Sequence, residues 1–565
     1  MELLDSRRLT GPNILWERPG AVADVALDEA LRAELIAAWG EEVRRLLDAL
    51  GWSAQESCVR AYAGGASLAI SAPLDALYAA TEVNESAWRA ARARLGSGEP
   101  VDFEAELRRL RAEIAAEANP PLLALCRAAR ERGLAFLCDD ELVTVGLGTG
   151  SRTFAARELP RPAELDWPAL HEVPTAMITG TNGKTTTVRL VAAMAEAAGR
   201  VPGVSSTDRV SVGSAVLAEG DWSGPGGARL VLRDRRTQVG LLETARGGML
   251  RRGLALEHCD VGAVLNVGAD HLGEWGVGDI EGLADGKLVL ARAARVMVLN
   301  ADDPVLAARG AQLLQEVVWF GLDPALPSLA AHLVRGGRAC VLRGDELWLH
   351  GRGQPRLVLR VGQIPIALGG AARFNVANAL AAAAVAEILG FSLEEIRSGL
   401  RNFQSTPAQN PGRQNRFELG AVHAMVDFAH NPHGVRAALE MAWSLPGERR
   451  LIVLGQAGDR EELSIREMAR LAWDARPDMI VIKELTEHLR GRAPGVIPAL
   501  IEDELRALGA PEERFVHCES ELEAVSWALD WARPGDLLLL FVHDKREEVL
   551  ALLEERARSG WTPGN

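Results

Sequence analysis

Residues Met177–Leu190 read MITGTNGKTTTVRL: an apolar lead-in, a glycine turn, then Lys184, Thr185, Thr186 and Thr187 opening a helical pattern. Strand, glycines, lysine and hydroxyl fall in the order that a phosphate-binding loop needs. Gly180 and Gly183 let the backbone turn tightly, so that Gly180, Thr181, Asn182, Gly183, Lys184, Thr185 and Thr186 form the expected cradle. Its amide N–H groups face phosphate oxygens, and the helix N-terminus adds the positive end of its dipole. Lys184 supplies a cation for the β- and γ-phosphates, and the Thr185 hydroxyl is placed to hold Mg²⁺. The strict Walker pattern has glycine at position 178, and Ile178 stands there instead. The loop is therefore a variant, with ATP and Mg²⁺ as its expected ligands.

Working outward, a chain of 565 residues is too long for one core and predicts about three or four domains. Apolar residues at 48% with 25% charged match a soluble globular protein. A net charge of −15 argues against a general nucleic-acid or acidic-membrane binder and leaves small molecules as the expected partners. The amino terminus, MELLDSRRLTGPN, is charged and lacks the apolar core of a signal peptide, and no apolar run is long enough to cross a bilayer. Both features predict a cytoplasmic protein. Its composition is also compatible with a homo-oligomer. Cys58, Cys126, Cys138, Cys259, Cys340 and Cys518 have no paired metal-ligand spacing and read as buried small hydrophobes.

Three blocks follow from periodicity. Residues 1–165 hold helical patterns at Asp28–Trp52 and Glu104–Ala118, and the proline-containing stretch Leu159–Pro174 reads as a linker. Residues 166–405 alternate short apolar strands (Val239–Leu242, Val261–Asn266, Val296–Leu299) with helices, including Ala377–Gly390, as in a nucleotide-binding α/β sheet. The Gly/Arg-rich piece Arg335–Arg356 reads as hairpin and loop. Residues 406–565 repeat the alternation with strands Met425–Phe428, Leu451–Leu454, Met479–Ile482 and Leu537–Val542, the pattern of a Rossmann-like domain. The fold class expected is α/β, with a central P-loop ATPase domain, a carboxyl-terminal Rossmann-like domain and an α+β domain ahead of them.

Transfer of a γ-phosphoryl group needs charge neutralisation, so carboxylates or imidazoles should stand at strand ends facing the loop. Glu243 ends one strand and Asp270-His271 follows another. With the form GTNGKTTT, these residues resemble the Mur ligase superfamily, the ATP-dependent amide ligases of cell-wall peptide, folylpolyglutamate and cyanophycin synthesis. The resemblance implies that Thr185, Glu243 and His271 bind metal, and that Lys287, a lysine shortly after the Asp-His pair, is carbamylated. A carbamate there would offer the metal a negative oxygen where an ammonium would repel it. The resemblance extends to Arg373-Phe-Asn-Val-Ala-Asn378, to Gly412-Arg413 and to Asp427-Phe-Ala-His-Asn-Pro432. It implies that Asn375 and Asn378 contact adenine, that Arg413 contacts ribose or phosphates, and that Asp427 contacts ribose and His430 the phosphate side.

Several segments look like one branch, the cyanophycin synthetases. They are Glu243-Thr-Ala-Arg-Gly-Gly248, Glu219-Gly-Asp-Trp-Ser-Gly-Pro225, Arg490-Gly-Arg492, Leu9-Thr-Gly-Pro-Asn13, Ser71–Tyr78 and Glu82-Val-Asn-Glu85. In that branch an ATP-grasp domain lies between the amino-terminal and Mur-like domains, and here the first block runs straight into the phosphate loop. One of two ligase activities is therefore expected to be absent. After Arg490-Gly-Arg492, Gly495 is followed by Val496 where the branch usually has glutamate, which puts arginine as the amine substrate in doubt. The expected activity joins a carboxylate acceptor, a peptide or polymer held around Ser71–Glu85, to an amine substrate such as an amino acid. Two other readings remain open: a non-catalytic ATP-binding scaffold, and a cell-wall peptide-precursor ligase.

Overall fold

The computed structural model describes residues 1–270, 273–351 and 353–563. His271 lies outside the described residues. The chain divides into two compact units. The first comprises Met1–Val341, Leu349–Pro355 and Ala381–Ile396, and the second comprises Leu342–Trp348, Arg356–Leu380 and the chain from Arg397 onward. The amino-terminal block and the phosphate-loop domain thus belong to the same unit.

The first block opens with an antiparallel four-stranded sheet, in spatial order Glu2–Leu9, Gly20–Ala26, Gly65–Ser71 and Ser57–Tyr62. Helices Arg32–Ala49 and Leu77–Arg94 cover one face. The first presents Leu35, Ala38, Trp39, Val43, Leu46 and Leu47 inward, the i, i+3/i+4 spacing of an amphipathic helix. Trp39 and Trp88 are fully buried in this core, each burial worth roughly 2–3 kcal/mol. Helix Phe103–Glu117 begins where the Asp102 carboxylate accepts from the N–H groups of Glu104 and Ala105, a cap worth about 1 kcal/mol.

Two features of this block escaped the periodicity. A three-stranded antiparallel sheet, Phe136–Cys138, Leu142–Val145 and Arg152–Ala155, precedes the proline-rich stretch. That stretch is packed down, contrary to the expectation of a linker: Leu159, Leu165, Trp167 and Leu170 close over Leu122, Leu125, Val143 and Val145. Four apolar side chains in so short a segment supply a face to bury, and the prolines set its two short 3₁₀ turns. Of the six cysteines, Cys126, Cys259, Cys340 and Cys518 are buried, whereas Cys58 and Cys138 are only half-buried because they sit on short strands near a sheet edge.

The sheet of the phosphate-loop domain runs from Ala215–Glu219 through Arg209–Val212, Pro202–Ser205, Val239–Glu243, Thr175–Thr179, Cys259–Val264, Ala294–Asn300 and Glu316–Gly321 to Ala339–Arg343. From Pro202–Ser205 onward neighbouring strands are parallel. Strand Thr175–Thr179 is central and buried along its whole length, as expected for a parallel strand covered on both faces. Ala339–Arg343 and Glu346–His350 are successive strands, in line with the hairpin expected there.

In the second unit a six-stranded sheet has the order Arg413–Leu419, Val422–Asp427, Leu537–Phe541, Arg450–Leu454, Met479–Lys483 and Phe515–Cys518. The first pair is antiparallel and the others are parallel. Helices cover both faces, giving two apolar clusters on either side of the sheet. Among the described residues no helix is long and apolar enough to cross a membrane.

Candidate active site

The phosphate loop joins strand Thr175–Thr179 to helix Lys184–Ala197. Gly183 caps that helix in the left-handed region at φ 87°, a backbone that favours glycine. Asn266 holds the loop from the neighbouring strand's end. Its Oδ1 accepts from Asn182 N at 2.9 Å, its Nδ2 donates to Asn182 O at 3.1 Å, and its own carbonyl accepts from Thr181 N at 3.1 Å. Thr181 Oγ1 adds a bond to Gly268 O at 3.1 Å. The Lys184 ammonium folds over the loop and donates to Gly180 O at 3.0 Å and Thr181 O at 3.1 Å.

Parallel pairing sets Glu243 opposite Ile178, so its carboxylate stands at the carboxyl edge of the sheet beside the loop. Thr185 Oγ1 donates to Glu243 Oε2 at 2.9 Å. Thr207 completes the cluster, with its N–H on Oε2 at 3.2 Å and its hydroxyl on Oε1 at 2.5 Å. Glu243 is 2% exposed, and its partners among the described residues are hydroxyls and an N–H, none of them cationic. A buried carboxylate ringed by hydroxyls is an oxygen donor set of the kind that hard divalent cations take, so these residues fit Mg²⁺.

Lys287 ends helix Ile280–Lys287 and is buried. Burial pushes its ammonium down to about 7, and the nearby positive charges of Lys184 and Arg246 act in the same direction, against the pull of Asp270 and Asp303. Close to neutral pH a large fraction of this amine is unprotonated, the form that adds CO₂.

In the second unit Asn378, Asn375 and Asp427 are joined through Gln414 by hydrogen bonds, and Arg413 and His430 lie against Phe428. Asn378 Nδ2 donates to Asn375 Oδ1 at 3.0 Å, and Asn375 Nδ2 donates to Gln414 Oε1 at 2.7 Å and Ile366 O at 2.9 Å. Gln414 N donates to Asp427 Oδ2 at 3.2 Å, and Ala429 N to Asp427 Oδ1 at 2.8 Å. Burial raises the Asp427 carboxyl to about 6, opposed by the Ala429 N–H and the Arg413 guanidinium. Arg413 lies over the Phe428 ring at 4.3 Å, and His430 Nδ1 is 3.0 Å from Phe428 O. Gln414 has φ 55° and a buried Nε2 with no hydrogen-bond partner among the described residues, so it is a polar group of this cluster that sequence reasoning missed.

Thr207, Asn266 and Gln414 were not singled out in the sequence. For the first two the available signal is position, since Asn266 follows the strand that pairs with Thr175–Thr179 and Thr207 follows the strand that pairs with Val239–Glu243. In the stretch Ser71–Glu85, expected to hold the acceptor, several polar residues bond within the fold. Ser71 bonds Gln55 and Glu56, Asp75 accepts from Asn119 N, and Asn84 bridges Trp39 Nε1 and Leu68 O. Tyr78 is its exposed large side chain, stacked under Arg8 and bonded to Asp140 at 2.8 Å. In the amine-side motif, Arg492 donates to Gly458 O and Arg460 O, and Glu484 accepts from Gly495 N, so these groups brace the loops there.

A glycine-turn loop at the carboxyl edge of a parallel sheet, with an oxygen cluster beside it and a second unit built on a Rossmann-like sheet, defines an α/β protein whose candidate ligand site lies at the strand ends. A model of the Mur ligase middle domain matches residues 178–386, and one of the Mur ligase glutamate ligase domain matches residues 412–541. The chain belongs to the Mur ligase family. It is 41% identical over 376 residues to cyanophycin synthetase of Crocosphaera subtropica, a match covering 65% of this chain and 42% of the relative. It is 28% identical over 431 residues to the UDP-N-acetylmuramoyl-L-alanyl-D-glutamate--2,6-diaminopimelate ligase of Geobacter metallireducens, covering 69% of this chain and 80% of that one. The match thus spans less than half the length of the cyanophycin synthetase. Among solved structures, a bifunctional folylpolyglutamate synthase/dihydrofolate synthase with Mn, AMPPNP and L-glutamate bound aligns at a TM-score of 0.51 and 20% identity, over 67% of this chain and 89% of that one, and shares the fold.

Proposed function

We propose that this chain is an ATP- and Mg²⁺-dependent amide ligase that activates a carboxylate as an acyl phosphate and joins it to an amino group. The observation that carries the reading is the hydrogen bond between Thr185 of the phosphate loop and the buried Glu243. It brings the hydroxyl and carboxylate needed for a metal–phosphate site to one edge of the sheet. The similarity to cyanophycin synthetase and to a cell-wall ligase supports the reaction type.

In this reading a carboxylate oxygen of the acceptor bonds to the γ-phosphorus of ATP and the β,γ-bridging bond breaks, releasing ADP. Lys184 meets the negative charge that develops on the transferred group. Mg²⁺, held by Thr185, Glu243 and His271, would neutralise phosphate oxygens. The amine nitrogen then bonds to the acyl carbon and gives up a proton to solvent, while the C–O bond to phosphate breaks and phosphate leaves with its electron pair. Lys287, as a carbamate, would place a negative oxygen near the metal. Asn375 and Asn378 are assigned to the adenine, Arg413 and Asp427 to the ribose side, and His430 to the phosphates. The division into residues 1–165, 166–405 and 406–565 remains our proposal for the domains, as does an acceptor that is a peptide or polymer and an amine substrate that is an amino acid. The hydrogen bond between Thr185 and Glu243, with Lys184 folded over the same loop, favours catalysis over a scaffold that merely holds ATP.

The deciding experiment is an ATP-turnover screen over pairs of peptides and amino acids, with products identified by mass spectrometry. Release of ADP and phosphate together with a new amide in at least one pair is the expected result, and nucleotide binding without any amide product would favour the scaffold. Within an active pair, Thr185→Ala and Glu243→Ala are each expected to lower kcat by on the order of 10²-fold. The double variant should be little worse than the worse single, because both serve one cluster. Additive losses, read in the same phosphate-release assay, would separate the two residues.

A further inference from the structure

Within the first unit, the amino-terminal block touches the phosphate-loop domain on the two segments that leave the catalytic strand ends. After Glu243 comes the short helix Arg246–Arg252. Its carboxyl end is tied by Thr10 N to Arg252 O at 2.9 Å and by Leu254 N to Pro12 O at 2.7 Å, and Arg7 Nη2 donates to Leu250 O at 3.3 Å. The motif Leu9–Asn13, singled out in the sequence, is this tie.

Beyond Asp270, the turn Gly273–Val277 is closed by Gly273 N on Val277 O at 2.8 Å. Trp275 sits in it at φ 48°, ψ 40°, a left-handed backbone that a bulky residue keeps only when its surroundings over-determine it. Arg60, on strand Ser57–Tyr62, supplies the determination: Nη1 donates to Trp275 O at 3.2 Å and Nη2 to Gly276 O at 2.9 Å. The Tyr62 ring lies against Gly276 so closely that a Cβ there would come within 2.3 Å of it, and Gly276 itself has φ 67°. On the catalytic side of the turn, Glu274 pairs with Arg246 at 2.5 Å, and the Arg246 guanidinium is 5.7 Å from the Trp275 ring. Ile14 of the amino-terminal block joins Leu250, Val277 and Leu283 in one apolar cluster. Leu283 belongs to the helix that ends in Lys287.

We infer that the amino-terminal block acts as a buttress for phosphoryl transfer, with Arg60 and Tyr62 as positioning residues that fix the turn Gly273–Val277 and, through it, Arg246 and the Lys287 helix. Neither residue carries a role at the reacting atoms. The guanidinium fork suits two adjacent carbonyls in a way that a single ammonium cannot match. The tyrosine ring fills the space that only a glycine leaves. This role also makes removal of the whole block a poor test of substrate binding, since truncation would strip Ile14, Arg60 and Tyr62 from the catalytic segments they support. The kinetic half of the inference rests on the ligase reading, and the structural half does not.

The test compares the full-length protein with Arg60→Ala, Arg60→Lys, Tyr62→Ala and Gly276→Ala by hydrogen exchange and by ATP turnover. In Arg60→Ala, exchange over residues 273–279 should rise on the order of tenfold, while the strand and helix around the phosphate loop keep their protection. The kcat should fall on the order of tenfold or more, with KM for ATP within about twofold, and Arg60→Lys should recover part of it. Gly276→Ala should reproduce both effects from the other side of the contact, which keeps the test decisive if Arg60→Ala folds poorly. In the Tyr62→Ala background, Gly276→Ala should cost less than in wild type, because the ring it collides with is gone. Unchanged exchange over 273–279, an additive double variant, or a loosened turn with unchanged kcat would each overturn the inference. A wild-type protein with no ATP turnover would sink the ligase reading alone and leave the exchange comparison to decide the rest.

Discussion

Replacing Lys184 with alanine is expected to lower amide formation by on the order of 10²-fold or more. The ammonium is the one charge carried by the loop itself, and in the nucleotide reading it meets the transferred phosphoryl group. Its loss removes a stabilisation that matters most when negative charge develops, so the effect should appear in kcat. The structural cost is smaller. Lys184 gives up two part-buried bonds to Gly180 O and Thr181 O, together roughly 1–3 kcal/mol. Asn266 still holds the loop through Asn182 and Thr181. Turnover of an identified substrate pair, read beside a thermal melt, checks both halves. Wild-type-like amide formation by Lys184→Ala would discard the assignment of this loop to ATP.

Lys287→Ala should be equally damaging to turnover and, if a carbamate is the working group, partly rescued by short carboxylates such as acetate. The stability effect runs the other way. Burial depresses the native pKa from the ordinary lysine value to about 7, so the group's contribution is complete above the unfolded value and is lost progressively as pH falls from there to about 7. At 1.36 kcal/mol per unit, the lost stability approaches roughly 4–5 kcal/mol at and below neutral pH. Lys287→Met is therefore expected to melt above the bicarbonate-free wild type near pH 7, with the gap closing as pH approaches 10. Added bicarbonate should raise wild-type turnover and leave the methionine variant unmoved. A melting difference that does not change with pH, or an alanine variant as active as wild type, would refute the role given to this lysine.

Much of the fold was legible because its elements are short-range patterns. The expected helix at Glu104–Ala118 is found at Phe103–Glu117, and the strand at Val239–Leu242 extends by one residue to Glu243. Strand Val261–Asn266 is shifted to Cys259–Val264, which frees Asn266 to turn back and bond the phosphate loop. Apolar runs between turn residues mark a parallel strand well, but they do not show where pairing stops. Thr207 was not legible for a related reason. It follows the strand Pro202–Ser205, and it meets Glu243 only because that strand pairs directly with Val239–Glu243.

Other surprises came from burial. Asn84 lies in the stretch expected to hold the acceptor, yet it is fully buried and answers Trp39 Nε1. A polar residue inside a core is indistinguishable in sequence from one on a surface until its partner is known. The proline-rich stretch misled in the opposite sense, since its prolines signalled a linker while its leucines and Trp167 sealed a core.

What the sequence determined by itself was local: strand, glycines, Lys184 and Thr185 are contiguous, so a few adjacent residues encode the strand–turn–helix on which the proposed phosphate site rests. Tertiary structure alone decided which distant groups complete it. Parallel register puts Glu243 opposite Ile178, burial beside Lys184 brings the Lys287 pKa down towards neutrality, and a strand of the first block delivers Arg60 to the carbonyls of Trp275 and Gly276. Each of these depends on strand order, burial or long-range packing. Those are properties of the whole folded chain, and no local pattern of residues can carry them.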